Sequence, residues 1–306
     1  MPPPELDPLR DAGHELIFAP KGELPAEADL LRLLPGIDGW LAGVEPISPA
    51  VIAVADRLRV ISRNGSGVDN LPLSLLASRG IKVTRAVAAN AIGVTELTMG
   101  LMLCACRHLH DVSLSVRQGG WPRPKGREIE NSTVGIVGIG AIGQRLAQIL
   151  ITMGARVIAH DPLTPDLGSL SRAVRYVGID ELLATAEIVT FHCPMPMDGR
   201  PLLNAAALAQ MMRGVIILNT ARAGLVDEEA LRAALDSGHV AAYGTDVFTV
   251  EPPPPDSLAA HPNVIATSHI GGLTDASVKR ATRAAVENLL THLDHKTDAT
   301  LLNKPT

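Results

Sequence analysis

The stretch that decides the fold reads "TVGIVGIGAIGQRLAQILITMGARVIAHDP" and spans residues 133–162. It opens with an apolar run of the length of a buried strand, and a glycine-rich turn follows. A helical pattern comes next, and a second apolar run leads to Asp161. This succession of strand, turn, helix and strand predicts a parallel α/β unit.

The glycines of this stretch have the spacing of a dinucleotide-binding turn. Gly138 permits a tight turn, Gly140 lets the backbone approach a pyrophosphate, and Gly143 lets the helix pack close to the strand. The helix that follows offers free N–H groups and a partial positive charge to phosphates. The predicted cofactor-binding residues of the turn are Gly138, Gly140, Ala141, Ile142 and Gly143.

The acidic residue of the motif is Asp161, about twenty residues beyond the glycines. Its carboxylate can accept hydrogen bonds from the adenine ribose hydroxyls, and its charge would repel a 2′-phosphate. Pro162 follows it, and no arginine comes immediately after. The sequence therefore predicts NAD as the cofactor rather than NADP. The alternative role for Asp161 is to cap a turn before Pro162.

The rest of the chain repeats the alternation of β-rich and helical runs. "ELIFAP", "GWLAG", "LRVISRNG" and "IKVTRA" are predicted strands of a first series, and six further strands begin at "TVGIVGIG". We predict an α/β protein of two doubly wound parallel-sheet domains, joined by a helix over about 91–118. Residues 93–273 form a Rossmann NAD-binding domain, and residues 1–92 with 274–306 form a flavodoxin-like substrate domain. The helix-like start "LDPLRDAG" implies that an edge strand is absent or that the recorded start lies downstream of the true one.

Composition excludes several classes of protein. Of the 306 residues, 46% are hydrophobic and 19% are charged, which is typical of a globular protein. The net charge of −5 argues against nucleic acid or an anionic membrane as the main partner.

The cysteines and the apolar segments predict a cytoplasmic protein without a metal centre. The three cysteines are too few for a disulfide framework. Cys104 and Cys106 are two apart in a helical stretch, so their side chains diverge. The start of the chain does not resemble a signal peptide. The apolar segment 91–109 carries Glu96 and Arg107, so it is interpreted as a buried helix rather than a membrane span.

Four further stretches occur in a specific order along the chain. They are "RNGSGVDN" at 63–70, "LNTARAGLVDEEAL" at 218–231, "GTDVFTVEPP" at 244–253 and "ATSHIGG" at 266–272. Together with the glycine turn, they resemble the D-isomer-specific 2-hydroxyacid dehydrogenases, the family of phosphoglycerate, glycerate and D-lactate dehydrogenases. The resemblance covers most of the chain, from about residue 60 to 277.

This resemblance implies three catalytic residues, and the chemistry suits them. Oxidation of a 2-hydroxy acid needs a base for the hydroxyl proton and a cation for the carboxylate. The resemblance assigns the base to His269, the carboxylate to Arg222, and an orienting role to Glu251. An arginine can bind a carboxylate at two points and stays charged. A carboxylate beside the histidine would stabilise the imidazolium and fix the tautomer.

Other residues have implied roles next to simpler structural alternatives. The resemblance places Asp246 near the nicotinamide amide, although a turn role is the alternative. It places the backbone of Thr220 beside the nicotinamide. The N–H groups around Ser66 and Gly67 are expected to meet the substrate carboxylate, unless this loop is a plain turn after a strand.

Two positions depart from the family's usual residues. Ala223 stands where the family has glycine, and a positive φ there would cost alanine about 1 kcal/mol or more. Ser268 stands where proline is usual before the histidine. Neither departure removes a reacting group, so both concern the geometry of a loop rather than the chemistry.

The sequence thus predicts an oxidoreductase that transfers a hydride between NAD(H) and a small 2-hydroxy or 2-keto acid. The low aromatic content of 2% favours small polar acids, with 3-phosphoglycerate, hydroxypyruvate and glyoxylate as candidates. Arg63, Arg85 and Lys82 are candidates for phosphate contact or for ordinary surface charges. The resemblance implies a homodimer through the NAD domain. The alternative is an NAD-binding corepressor or sensor. A formate-type dehydrogenase is disfavoured because Glu251 stands where that branch is expected to have glutamine.

Overall fold

The computed structural model describes residues 3–20, 24–294 and 302. The chain divides into two compact units, one made of residues 1–90 and 272–306, the other of residues 91–271. The sequence predicts the two crossings at 92/93 and 273/274. Part of the predicted substrate domain, residues 1–2, 21–23, 295–301 and 303–306, lies outside the described residues.

The first unit contains a three-stranded parallel sheet with helices on both faces. Its strands, in spatial order, are β1 (Gly39–Ala42), β2 (Val60–Arg63) and β3 (Lys82–Arg85). Its helices are α1 (Asp7–Asp11), α2 (Glu27–Leu33), α3 (Pro49–Val54), α4 (Leu73–Ser78) and α11 (Asp275–Leu293). One core joins the sheet to α2, α3 and α4, and a second joins it to α1 and α11.

The second unit contains a seven-stranded parallel sheet. In chain order its strands are β4 (Thr133–Val137), β5 (Arg156–His160), β6 (Val174–Tyr176), β7 (Ile188–Phe191), β8 (Val215–Asn219), β9 (Val240–Thr245) and β10 (Val264–Ala266). The spatial order is β10-β9-β8-β7-β4-β5-β6, so the direction of winding reverses between β4 and β7. Ligands of such sheets bind outside the carboxyl ends of the strands, at this reversal.

Helices cover both faces of the second sheet, which explains why its central strands are apolar on both sides. These helices are α5 (Ala91–Arg107), α7 (Ala141–Thr152), α8 (Ile179–Thr185), α9 (Ala205–Gln210) and α10 (Glu228–Asp236), and a further helix, α6 (Leu109–Arg117), follows α5. One core contains α5 and α7, and the other contains α8, α9 and α10. The predicted α/β class with parallel sheets is confirmed.

Three local predictions differ from the structure. "ELIFAP" forms no strand, and its side chains Ile17 and Phe18 are about half exposed, so this segment lacks a buried face. The predicted helix over 91–118 is two helices, since His108 adopts a left-handed conformation with φ 52°. Helix α6 beyond it has no buried residue. The sequence also missed β6, a three-residue edge strand in which only Val174 is buried.

Candidate active site

The glycine turn has the geometry that close approach of a dinucleotide requires. Gly138 has φ +91°, and a Cβ there would lie 2.7 Å from the backbone of His192 and Cys193. A Cβ on Gly143 would lie 2.3 Å from the carbonyl oxygen of Gly138, so α7 packs directly on the turn. Gly140, by contrast, is exposed and faces open space. The turn is therefore closely packed at Gly138 and Gly143 and open at Gly140, where a pyrophosphate would meet the start of α7.

The first residues of α7 complete this edge of the site. Ala141 is exposed and Ile142 is half-buried, directly after the N-cap residue Gly140. Their free backbone N–H groups at the helix start are the donors that a phosphate group would use. The residues present therefore fit a dinucleotide.

Asp161 follows β5 and binds the glycine turn itself. Its Oδ2 accepts a hydrogen bond from the Ile139 N–H at 3.0 Å, and its Oδ1 accepts one from the Leu163 N–H at 2.9 Å. The turn role considered as an alternative is therefore present. Each carboxylate oxygen can accept a second hydrogen bond, so contact with a ribose hydroxyl is compatible with it.

We expect Asp161→Ala to reduce the preference for NADH over NADPH, because the substitution removes the charge that repels a 2′-phosphate. Affinity for NADH should fall as well, since the Ile139 N–H loses its acceptor. Steady-state kcat/KM with each cofactor measures both effects. Asp166→Ala is the matched control, because Asp166 also accepts from a backbone N–H two residues later, at 2.9 Å. Equal kcat/KM for both cofactors in the unmodified protein would mean that Asp161 does not discriminate against NADPH.

His192 follows β7 at the point where the winding reverses, and sequence reasoning missed it. Its Nε2 lies 3.0 Å from Thr190 Oγ1, and burial lowers the pKa of His192 to about 3. The imidazole is therefore neutral at physiological pH. Its Nδ1 is buried and has no hydrogen-bond partner among the described residues. The signal was available in the sequence, because "FHCP" ends the strand that neighbours the glycine-turn strand in a Rossmann order.

His269 and Glu251 form a hydrogen-bonded pair. Nδ1 of His269 lies 3.0 Å from Oε1 and 2.9 Å from Oε2 of Glu251. The Phe248 N–H also donates to Oε1, at 3.1 Å, which fixes the carboxylate. The side chain of His269 is 55% exposed. His269 is therefore an oriented and accessible histidine rather than a packed one at the end of a strand.

Asp246 holds the loop that carries His269. It is buried, with 2% exposure, and accepts three hydrogen bonds. Oδ1 accepts from Thr267 Oγ1 at 2.7 Å and from the Ile270 N–H at 2.8 Å, and Oδ2 accepts from the Gly271 N–H at 2.8 Å. His269 lies inside this loop with φ 55°, a conformation that most residues avoid. These bonds give Asp246 the structural role that is the alternative in the sequence analysis.

Arg222 and Thr220 lie in the loop after β8. Arg222 is half-buried, and its Nη1 donates to the carbonyl oxygen of Ala221 at 2.7 Å. The Thr220 Oγ1 lies 2.9 Å from Oγ1 of Thr98 on α5, which ties the loop to that helix. Every predicted site residue of the second unit therefore lies at the carboxyl edge of its sheet.

Comparison with known proteins identifies the family. Residues 99–271 match the family described as D-isomer specific 2-hydroxyacid dehydrogenase, NAD binding domain. The hydroxypyruvate reductase of Thermotoga maritima is 36% identical over 299 residues, which cover 94% of this chain and 96% of that protein. The chain belongs to the D-isomer-specific 2-hydroxyacid dehydrogenase family. It is an enzyme, and its cofactor is NAD, as predicted.

Two further relatives of this dehydrogenase differ in how far they match. The TT0316 protein of Thermus thermophilus has a similar structure, with a TM-score of 0.84 and 34% identity, covering 98% of this chain and 97% of that one. The D-3-phosphoglycerate dehydrogenase of Methanocaldococcus jannaschii is 37% identical over 258 residues, 83% of this chain. The chain spans about half the length of that relative, since the match covers 49% of it.

The two departures from the family pattern do not disturb the local geometry. Ala223 begins a short 3₁₀ helix, Ala223–Leu225, and has no positive φ, so alanine carries no strain there. Ser268 is exposed, and the hydrogen bonds between His269 and Glu251 form beside it.

The predicted substrate-binding residues Ser66 and Gly67 belong to the first unit of the dehydrogenase. Oγ of Ser66 lies 3.1 Å from the carbonyl oxygen of Ala86, to which it donates, and 3.0 Å from Asn90 Oδ1. Among the described residues, neither the Ser66 nor the Gly67 amide donates a hydrogen bond. Two such N–H groups are available to an anion, which is compatible with the predicted role.

Two classes of feature are not found in the part of the chain that the structure describes. It holds no group of three or more His, Cys, Asp or Glu residues placed to bind a metal ion. None of its helices has both the length and the apolar character needed to cross a membrane.

Proposed function

We propose that this dehydrogenase acts on a small 2-hydroxy or 2-keto acid, with His269 as acid and base, Glu251 as its partner and Arg222 on the substrate carboxylate. The observation that carries the proposal is the contact between Nδ1 of His269 and both carboxylate oxygens of Glu251. A carboxylate at Nδ1 keeps the hydrogen on that nitrogen, so Nε2 is left to exchange the proton. Among the described residues Nε2 has no hydrogen-bond partner, and the ring is half exposed.

Each of these residues would have a separate role in the reaction. Arg222 would bind the substrate carboxylate and set the orientation of the carbon next to it. His269 in its protonated form would donate a proton to the keto oxygen during reduction, and in its neutral form would accept the hydroxyl proton during oxidation. Bound NAD(H) supplies the hydride acceptor or donor. Asp246 would keep the loop of His269 in place through its three hydrogen bonds.

Among the three candidate substrates we favour hydroxypyruvate and glyoxylate over a phosphorylated acid. A relative that matches along nearly its whole length is named a hydroxypyruvate reductase. Two of the three cations that could meet a phosphate, Arg63 and Arg85, are already hydrogen-bonded to their own loop. Nη1 of Arg63 donates to the Asn64 carbonyl at 3.1 Å, and Nη1 of Arg85 donates to the Ser66 carbonyl at 3.3 Å. No finding supports the corepressor or sensor alternative.

A panel of 2-keto acids with NADH tests the proposal. We expect kcat/KM for hydroxypyruvate or glyoxylate to exceed that for 3-phosphohydroxypyruvate by about tenfold or more, roughly 1.4 kcal/mol of transition-state stabilisation. A reversed order would assign the site to the phosphorylated acid. Absence of NADH oxidation with every acid of the panel, despite NADH binding, would contradict the proposal as a whole.

We further propose that the protein is a homodimer through the second unit. Helix α6 has no buried residue, and four large apolar side chains in or near it are 44–80% exposed: Leu109, Leu114, Val116 and Trp121. Such a cluster on one unit is typical of a protein interface. Sedimentation of the full chain at micromolar concentration would give a dimer mass, and a monomer mass there would rule the proposal out.

A further inference from the structure

Asn219, the last residue of β8, is buried with no exposed surface and uses both ends of its side chain. Its Oδ1 accepts a hydrogen bond from the Ala221 N–H at 3.1 Å. Its Nδ2 donates to the carbonyl oxygen of Arg222 at 2.8 Å. One side chain therefore closes the backbone turn from which the side chain of Arg222 starts.

The same residue also binds the neighbouring strand end through its backbone. The Asn219 carbonyl oxygen accepts from Oγ1 of Thr245 at 3.2 Å and from the Asp246 N–H at 3.2 Å. The Asp246 carboxylate then holds the loop of His269. Asn219 and Asp246 thus form a hydrogen-bonded link between the loop of Arg222 and the loop of His269, and both residues are buried.

Only an asparagine satisfies both partners of its side chain at this position. The turn needs one acceptor for the Ala221 N–H and one donor for the Arg222 carbonyl, on a short side chain. Serine is shorter, and alanine offers neither group. Because the site is buried, each partner that is lost leaves a polar backbone group unsatisfied or forces the turn to move.

We propose that Asn219 is a positioning residue for the reaction, whose side chain sets the orientation of Arg222 toward the substrate carboxylate, while its backbone carbonyl links the Arg222 loop to the His269 loop. This inference rests on the proposed roles of Arg222 and His269. Asn219 acts through the backbone of residues 221 and 222, without itself touching the substrate.

The test compares Asn219→Ala with Asn204→Ala. Asn204 is in the same unit, and its Oδ1 accepts from the Ala207 N–H at 3.0 Å to cap α9, so its loss reports a purely structural effect. We expect Asn219→Ala to raise KM for the keto acid about three- to tenfold, as the loss of one or two hydrogen bonds predicts. The Kd for NADH, measured by fluorescence, should stay within about twofold. Asn204→Ala should lower Tm and leave KM unchanged.

A double variant shows whether Asn219 acts through Arg222. If it does, adding Asn219→Ala to Arg222→Lys should cause much less further loss than it causes alone. Fully multiplicative losses, or an Asn219→Ala protein whose KM stays at the unmodified value, would overturn the inference.

Asn219→Ser replaces the alanine variant if the latter does not fold. If Arg222→Lys itself is fully active, the proposed role of Arg222 fails and the inference fails with it. If only Arg222→Lys is impaired, the inference alone fails.

Discussion

His269→Ala should remove most turnover in both directions, by about 10²–10⁴-fold, which is what a positioned acid or base typically contributes. Reduction would lose its proton donor and oxidation its base. Binding of NADH should be nearly unchanged, because the turn from Gly138 to Gly143 and Asp161 belong to other strand ends. Initial rates with a keto acid and with the matching hydroxy acid, beside an NADH titration, measure all three.

His261→Ala is the matched control for this experiment. His261 also pairs with a carboxylate in the same unit, with 3.2 Å between its Nε2 and Asp236 Oδ1, but it plays no part in the proposed site. The control should keep near-normal rates. If His269→Ala kept more than about a tenth of the activity, the proton carrier would be another group.

Glu251→Gln tests the orienting role of Glu251. A glutamine keeps the size of the side chain but replaces one of the two carboxylate oxygens near Nδ1 of His269 with an NH₂ group, which cannot accept the hydrogen on that nitrogen. The ring would then be held less firmly, so turnover should fall in both directions while binding of NADH stays unchanged. Initial rates in both directions measure the effect, and unchanged rates would separate Glu251 from the reaction.

Arg222→Lys is the second large effect that we expect. A lysine keeps the positive charge but loses the planar group that can bind a carboxylate at two points. The loss in kcat/KM should exceed about tenfold, roughly 1.4 kcal/mol of transition-state stabilisation. Arg213→Lys is the control, because Arg213 also donates to a backbone carbonyl, that of Ser237 at 2.9 Å, on the surface of the same unit. A loss below tenfold for Arg222→Lys would mean that Arg222 does not bind the carboxylate.

The NAD-binding part of the fold could be predicted from sequence because its signals are local. At Gly138 and Gly143 the structure shows backbone atoms so close that a Cβ would not fit, whereas Gly140 faces the open space where a pyrophosphate would lie. The central strands β4, β7 and β8 are almost fully buried, and the sequence shows them as apolar runs. Edge elements gave weaker signals, as β6 and "ELIFAP" illustrate, because a strand or loop with little buried surface has little pattern.

The supports of the candidate site could not be predicted in the same way. Asn219 and Asp246 meet only because β8 and β9 are neighbours in the sheet, and their residues are 27 positions apart in the chain. Motif resemblance implies a cofactor contact for Asp246, which stays a prediction, and gave no sign that its buried carboxylate is bonded to the loop of His269. The left-handed conformation of His269 likewise depends on these tertiary hydrogen bonds rather than on local sequence preference.

The hydrogen bond from the Ile139 N–H to Asp161 limits how this enzyme could be re-engineered to use NADPH. If Asp161 repels the 2′-phosphate as predicted, its side chain still cannot simply be deleted, because the glycine turn would lose the acceptor of that N–H. A designer would keep a neutral acceptor for the Ile139 N–H, as in Asp161→Asn, although the single amide oxygen then leaves the Leu163 N–H without its acceptor, and would supply the new cation separately. Leu163 is 87% exposed, so an arginine there would displace no core packing. A change of cofactor therefore needs two substitutions, one at Asp161 and one that adds a cation. The same two would be needed in natural evolution.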